Sequence, residues 1–169
     1  MLCFENWSKK FNSYSNSTYF CTKINSVKTV YIERRERFNA AHKLYNESWS
    51  KEKNAEVFGK CANANWHGHN YEVIVTVKGT PSVDTGFVID LKLMSDIIKE
   101  YVVERLDHKN LNLDVPFLQG ILPSTENLAI AIWDELQPHL NQHNCKLARI
   151  RILETENNFV DYFGGNEPF

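Results

Sequence analysis

Long apolar runs are missing from this sequence. No stretch approaches the about 20 residues that a membrane-crossing helix requires, so no segment reads as a span. Cysteine is sparse: Cys3, Cys21, Cys61 and Cys145 are scattered and form no CxxC pair. That excludes a structural zinc site built from four cysteines. An excess of one charge is also absent. The formal net charge is -2 over 169 residues, which gives no electrostatic basis for binding nucleic acid or an anionic membrane. The opening residues, MLCFENWSKK, lack the apolar stretch of a secretory signal. The expected setting is therefore the cytoplasm, where thiols stay reduced and a free cysteine can be reactive.

What is present is enough for a core. Hydrophobic residues make up 43% of the chain and aromatics 12%, and the length fits one domain. Residues 1–28 differ from the rest. They are rich in Ser, Asn and Lys without sustained periodicity, and read as a weakly ordered or peripheral extension. Residues 29–169 read as a single domain.

Within that domain TVYIERRERF is strand-like. Residues 43–66 follow as a long polar segment with no strong helix or strand pattern; a loop of that length in a compact domain is usually functional or disordered, and because this one carries Cys61 and runs into His67 it reads as functional. YEVIVTVKG alternates as a strand. FVIDLKLMSDIIKEYVVERL reads as a short strand entering a helix, with Asp90 as N-cap. Its apolar face is expected to hold Leu91, Met94, Ile97, Ile98 and Tyr101. Ser124 or Thr125 can cap a second helix, ENLAIAIWDELQPHL, predicted to end near Pro138. LARIRILE and NNFVDYF close the domain as strands. The order strand, strand, helix, helix, strand, strand predicts an α+β fold: a four-stranded antiparallel sheet with two helices on one face.

The chemistry concentrates in a few places. In an extended His67-Gly68-His69, both imidazoles point to one side. His42 ends the first strand, which can pair with the strand of Tyr71 and bring His42 alongside. Three neutral imidazoles suit zinc and leave a fourth position for water or substrate, the layout of a catalytic site. The plainer reading of HxH is two surface histidines, and of His42 a partner for a backbone carbonyl. Cys61, six residues before His67, is a small buried hydrophobe in the plain reading. Near a dication and a base it is instead a thiolate that moves protons, or a fourth ligand that closes the site. In Asp107-His108 the carboxylate can fix the tautomer of the imidazole; alone, the dipeptide reads equally as a capped turn. Glu154 ends an apolar strand, where an acid can receive two parallel hydrogen bonds from a guanidine-like edge such as a pterin offers. His139 and His143 are expected in solvent.

Taken in order, FNAAH, VFGKC, NANWHGHNY, VTVKG, LDHKNLN, STEN and the late ET resemble the 6-pyruvoyl-tetrahydropterin synthase family, over residues 31–164. The resemblance implies zinc ligands at His42, His67 and His69, and a catalytic cysteine at Cys61. Asp107 and His108 match the pair that completes proton transfer. Glu154 matches the acidic anchor of the pterin ring, with Thr125 and Glu126 in the segment beside it. The implied fold is the T-fold, whose subunits join their sheets into barrels, usually trimers stacked into a hexamer, with pockets between subunits. The implied substrate is 7,8-dihydroneopterin triphosphate. Its product is 6-pyruvoyl-tetrahydropterin in one branch of the family. In the other it is 6-carboxy-tetrahydropterin, on the way to queuosine, and the Cys-x5-His spacing looks like the first. A zinc-stabilised scaffold or pterin-binding module without catalysis is the non-enzymatic alternative. The sequence departs from the family at Trp66, where Gly is frequent, and at Ala62 and Ala64.

Overall fold

A computed structural model describes residues 28–165. The reading of an N-terminal extension, together with Cys3 and Cys21, falls almost wholly outside those residues. Strand β1 (Val30–His42) pairs antiparallel with β2 (His67–Gly79) along its full length. The two ends of this ribbon differ in character. At one end the paired positions are His42 with His67 and Ala40 with His69, and at the other Val30 and Tyr31 of β1 are exposed. β2 pairs in turn with β4 (Lys146–Leu153), with a register shift between Thr76 and Val77, and β4 pairs with β5 (Phe159–Tyr162).

The sheet has five strands in the order β3-β1-β2-β4-β5, not the four expected. The added strand, β3 (Lys109–Asn110), is two residues long and parallel to β1 at Ala40 and Ala41. The sheet is therefore mixed. Two residues cannot display an alternation, so no periodicity announces this strand.

One face of the sheet is covered by helices. Helix α2 (Leu91–Ile98) passes through a π-helical turn, Lys99–Val103, into the short α3 (Glu104–Leu106). Asp90 caps α2 by accepting from the Lys92 amide. The buried face of this segment is Met94, Ile97, Ile98, Val102 and Leu106, whereas Leu91 is exposed. The preceding FVI is not a strand: Val88 and Ile89 are buried from a bend. Helix α4 (Thr125–Leu140) is capped by the Ser124 side chain at the Asn127 amide. It runs through Pro138 and ends two residues later, at Leu140, close to the expected end. Pro removes one backbone donor, but Leu136 and Leu140 are fully buried on either side of it and hold the last turn in place. His139, expected in solvent, stacks on Tyr101 with ring centroids 3.5 Å apart.

The polar segment 43–66 contains a further helix, α1 (Lys51–Phe58), capped by Ser50. A polar residue lies at its base. Asn54 is fully buried; its side-chain oxygen accepts from the Asn46 amide, and its side-chain nitrogen donates to the carbonyls of Asn46, Trp49 and Ser50. The core between sheet and helices is apolar, with Phe38, Tyr71, Val73, Val75, Leu128, Ile132, Ile150 and Ile152 among its members. Among the described residues, no helix is long and apolar enough to cross a membrane.

Candidate metal centre and the cleft beside it

Alternation along β2 puts His67, His69 and Tyr71 on the face that carries Val73 and Val75 into the core. Register does the rest. His42 lies directly opposite His67, on the same face of β1 as Phe38 and Ala40. The ring centroids of His42, His67 and His69 are 4.4, 5.2 and 5.1 Å apart, and their ligating nitrogens all lie within 4.8 Å of one another. The expectation that strand pairing would bring His42 to the HxH pair agrees with this geometry.

Gly68 is required by that arrangement. A Cβ placed there would lie 2.9 Å from the Ala40 carbonyl oxygen, closer than a carbon–oxygen contact tolerates, so only a bare backbone lets the strands close with two histidines flanking the position. Trp66, just before, adopts a left-handed backbone with φ of 66°, a conformation glycine takes freely and a bulky residue does not. The Lys43 ammonium lies over the Trp66 and Tyr45 rings, which holds the side chain in place.

The hydrogen bonding of the histidines favours a cation. His42 is 1% exposed, and its Nδ1 donates to the Pro123 carbonyl at 2.8 Å. That bond fixes the tautomer and leaves the Nε2 lone pair facing the other rings. His42 Nε2 and both ring nitrogens of His67 are buried without a hydrogen-bond partner among the described residues. Burial pushes all three histidines below their ordinary range, and their charges disfavour one another; the Pro123 bond to His42 and the Glu154 charge work in the opposite direction without prevailing. The imidazoles are thus held neutral, as metal ligands must be.

Glu154 comes closer to this cluster than its place in the sequence suggests. Its Oε1 lies 3.6 Å from His42 Nε2 and 3.7 Å from His69 Nε2, and accepts a hydrogen bond from Thr125 Oγ1 at 3.0 Å. With neutral rings at those distances the contacts are neither hydrogen bonds nor ion pairs. The carboxylate therefore faces the space that the three nitrogens surround. Glu126 and Thr125 line a hollow with Glu154 and Phe159. A larger cleft, about 850 Å³, is lined by His69, Tyr71 and Glu154 on one side and Arg37, Glu72 and Thr155 on the other.

Cys61 follows α1 in a 3-10 turn, Gly59–Ala62, and is half-buried. Its carbonyl accepts from the Leu44 amide at 2.9 Å, two residues beyond His42. Cys145, by contrast, is buried at 6% exposure with its thiol pushed up by burial. It is part of the core.

Asp107 and His108 form the expected pair: Asp107 Oδ2 accepts from His108 Nδ1 at 2.8 Å. The other oxygen, Oδ1, accepts from the Asn39 amide at 2.7 Å. This backbone bond first, and His108 second, hold the Asp107 carboxyl below the usual carboxylate range. His108 takes a left-handed φ of 58°, and its side chain is 77% exposed. It shares a hollow with His69. Among the described residues neither member of the pair hydrogen-bonds Cys61.

Two further residues shape the site. Asn112 clamps the backbone after His42: its Oδ1 accepts from the Lys43 amide at 3.0 Å, and its Nδ2 donates to the Lys43 carbonyl at 2.9 Å. This amide continues the ladder begun by His108 to Asn39 and Leu111 to Ala41. Nothing in sequence spacing reveals such a clamp. Tyr71 could have been found by extending the period of two from His67 and His69 by one step.

Comparison with known proteins agrees with this geometry. A family model described as 6-pyruvoyl tetrahydropterin synthase matches residues 31–165. The chain is 47% identical over 137 residues to a 6-pyruvoyl tetrahydrobiopterin synthase of Dictyostelium discoideum, covering 81% of this chain and 98% of that protein. It is 44% identical over 133 residues to the Homo sapiens protein of the same name, covering 79% and 90%. The solved structure of Caenorhabditis elegans 6-pyruvoyl tetrahydropterin synthase superposes with a TM-score of 0.76 at 35% identity, over 82% of this chain and 98% of that one.

Proposed function

The chain belongs to the 6-pyruvoyl tetrahydropterin synthase family, and from that premise we propose that it is a zinc-dependent lyase. In this reading it converts 7,8-dihydroneopterin triphosphate to 6-pyruvoyl-tetrahydropterin, by triphosphate elimination with internal redox of the side chain. The observation that carries the proposal is the set of three neutral imidazoles around one point, three of whose buried nitrogens lack a partner. Buried polar atoms are normally satisfied, and a dication taking one nitrogen from each ring would satisfy His42 Nε2 and one of the two His67 nitrogens. His42, His67 and His69 would hold zinc, which when bound polarises oxygens and acidifies the protons near them.

The remaining roles fall to the chain itself. Cys61 takes protons from the side-chain carbons and returns them. His108, oriented by Asp107, serves as the base that keeps the thiol active. Glu154, held by Thr125, and Glu126 receive the donor edge of the pterin. Among the described residues Cys61 shares no hydrogen bond with the Asp107–His108 pair, and in this reading a second copy completes the site. The sheet supports this: β5 forms one end, and at the other β3 covers only Ala40 and Ala41 of β1. Joining such edges into a barrel would remove them from solvent. We place residues 29–169 in one such domain, with residues 1–28 outside it, in a cytoplasmic homo-oligomer of stacked trimers.

The test is incubation of zinc-loaded protein with 7,8-dihydroneopterin triphosphate and mass analysis of the products. The pyruvoyl pterin is the expected result. The carboxy pterin with acetaldehyde would move the protein to the other branch, and no reaction would leave a binding module. Cys61→Ala is expected to abolish turnover while folding and zinc content persist; unchanged activity would refute the role of the thiol.

A further inference from the structure

Tyr71 stands beside the three histidines, and the chemistry proposed above leaves it without a task. It is 1% exposed. Its ring stacks on Phe38 with centroids 5.1 Å apart, and meets His69 and His42 edge-on at 5.5 and 6.1 Å. These contacts fix the ring. Its hydroxyl is buried and has no hydrogen-bond partner among the described residues. A buried hydroxyl in that state has given up water for nothing, and phenylalanine would fill the same space without the loss.

The surroundings say what the hydroxyl can do. Tyr71 lines the cleft together with His69 and Glu154. With its ring fixed on Phe38 and its oxygen buried and unpartnered, the hydroxyl is a rigid donor in a dry position.

We infer that the Tyr71 hydroxyl donates a hydrogen bond to a side-chain oxygen of the bound pterin while the neighbouring carbon loses its proton. The inference rests on the pterin reading above. Once the internal redox of the side chain has made a carbonyl, loss of a proton from the carbon beside it builds negative charge on the carbonyl oxygen. A preorganised donor stabilises that charge more than it stabilises the ground state. Tyr71 gives up no proton and forms no covalent bond in this role.

Tyr71→Phe removes one oxygen and keeps the ring. In the zinc-loaded protein the expected result has two signs. The melting temperature stays equal or rises, because a buried unsatisfied group is gone. Turnover falls by about 10- to 100-fold with little change in KM, as loss of a transition-state donor dictates. Binding of 7,8-dihydroneopterin, which carries the same hydroxylated side chain, is read in parallel and is expected to weaken slightly. A variant with wild-type kcat would overturn the inference, and so would a melting temperature several degrees lower, since the hydroxyl would then have a structural partner in the free protein. If the wild type neither binds dihydroneopterin nor turns over, the pterin reading fails as a whole. If it does both and Tyr71→Phe matches it, only the assignment to Tyr71 fails.

Discussion

One added carbon at Gly68 is the sharpest probe of the metal-site geometry. A Cβ there would lie 2.9 Å from the Ala40 carbonyl oxygen and 3.5 Å from the Ala40 carbonyl carbon and the Ala41 Cα. Comfortable carbon–oxygen approach is about 3.3–3.6 Å, so the two strands must part by about half an ångström. The obstructing atom is backbone within a paired ladder and cannot swing aside. Overpacking of this kind costs about 1–3 kcal/mol, which in a domain of this size lowers the melting temperature by about 2–10 °C. The larger consequence is local. His67 and His69 flank the carbon, and His42 sits on the other strand, so the shift separates ligands contributed by the two strands. Metal sites tolerate displacements of about 0.2 Å, and a disturbed site loses about 10- to 100-fold in affinity. Zinc affinity by competition with a chromophoric chelator, alongside thermal denaturation, measures both effects. Gly68→Ala with unchanged affinity and melting temperature would refute the argument that close strand approach builds the site.

The pH response follows from the burial of the ligands. His42, His67 and His69 sit below the ordinary histidine range in the folded chain. The unfolded chain therefore binds protons first as pH falls, so the stability these residues contribute is intact above about pH 6.5 and lost below it. Zinc should stay bound through neutral pH and leave only on acidification; half-release on the alkaline side of pH 7, read by metal analysis after desalting, would contradict this. At Asn112 the clamp on Lys43 consists of two hydrogen bonds, each worth about 0.5–1.5 kcal/mol. Asn112→Ala should lower the melting temperature and speed alkylation of Cys61, while Asn112→Asp, which keeps the acceptor, should fall between; identical alkylation rates in all three proteins would dismiss the clamp.

What sequence could show depended on how far each feature reaches. The β1–β2 ribbon was legible because alternation over many residues forces a register, and that register alone places His42 against His67. Helix α4 was legible from its cap and its apolar face, and its end at Leu140 lies two residues beyond Pro138. Helix α1 was hidden because its stability comes from Ser50 and the buried Asn54 rather than from an apolar stripe. The short β3 exists only because the turn after α3 meets the edge of β1 through the Asn39 bonds to Asp107 and His108. Residues Phe87 to Ile89 look strand-like because they are apolar, yet they cover the core from a bend. At the site, spacing yielded the histidines. The approach of Glu154 to within 3.7 Å of His69 joins the end of β4 to the start of β2, and tertiary pairing of that kind leaves no mark in local sequence.

The bond from the Leu44 amide to the Cys61 carbonyl closes the segment between them at its neck. Inside that neck the chain has its own supports: the Ser50 cap, the Asn54 hub, and the Trp49–Phe58 stack at 5.7 Å. Closure of a loop becomes only slowly more costly as the loop lengthens. The excursion is therefore a replaceable cartridge. Its length, charge and surface can drift between relatives, or be exchanged by an engineer, while the cysteine at its base and the histidine beside it keep their places.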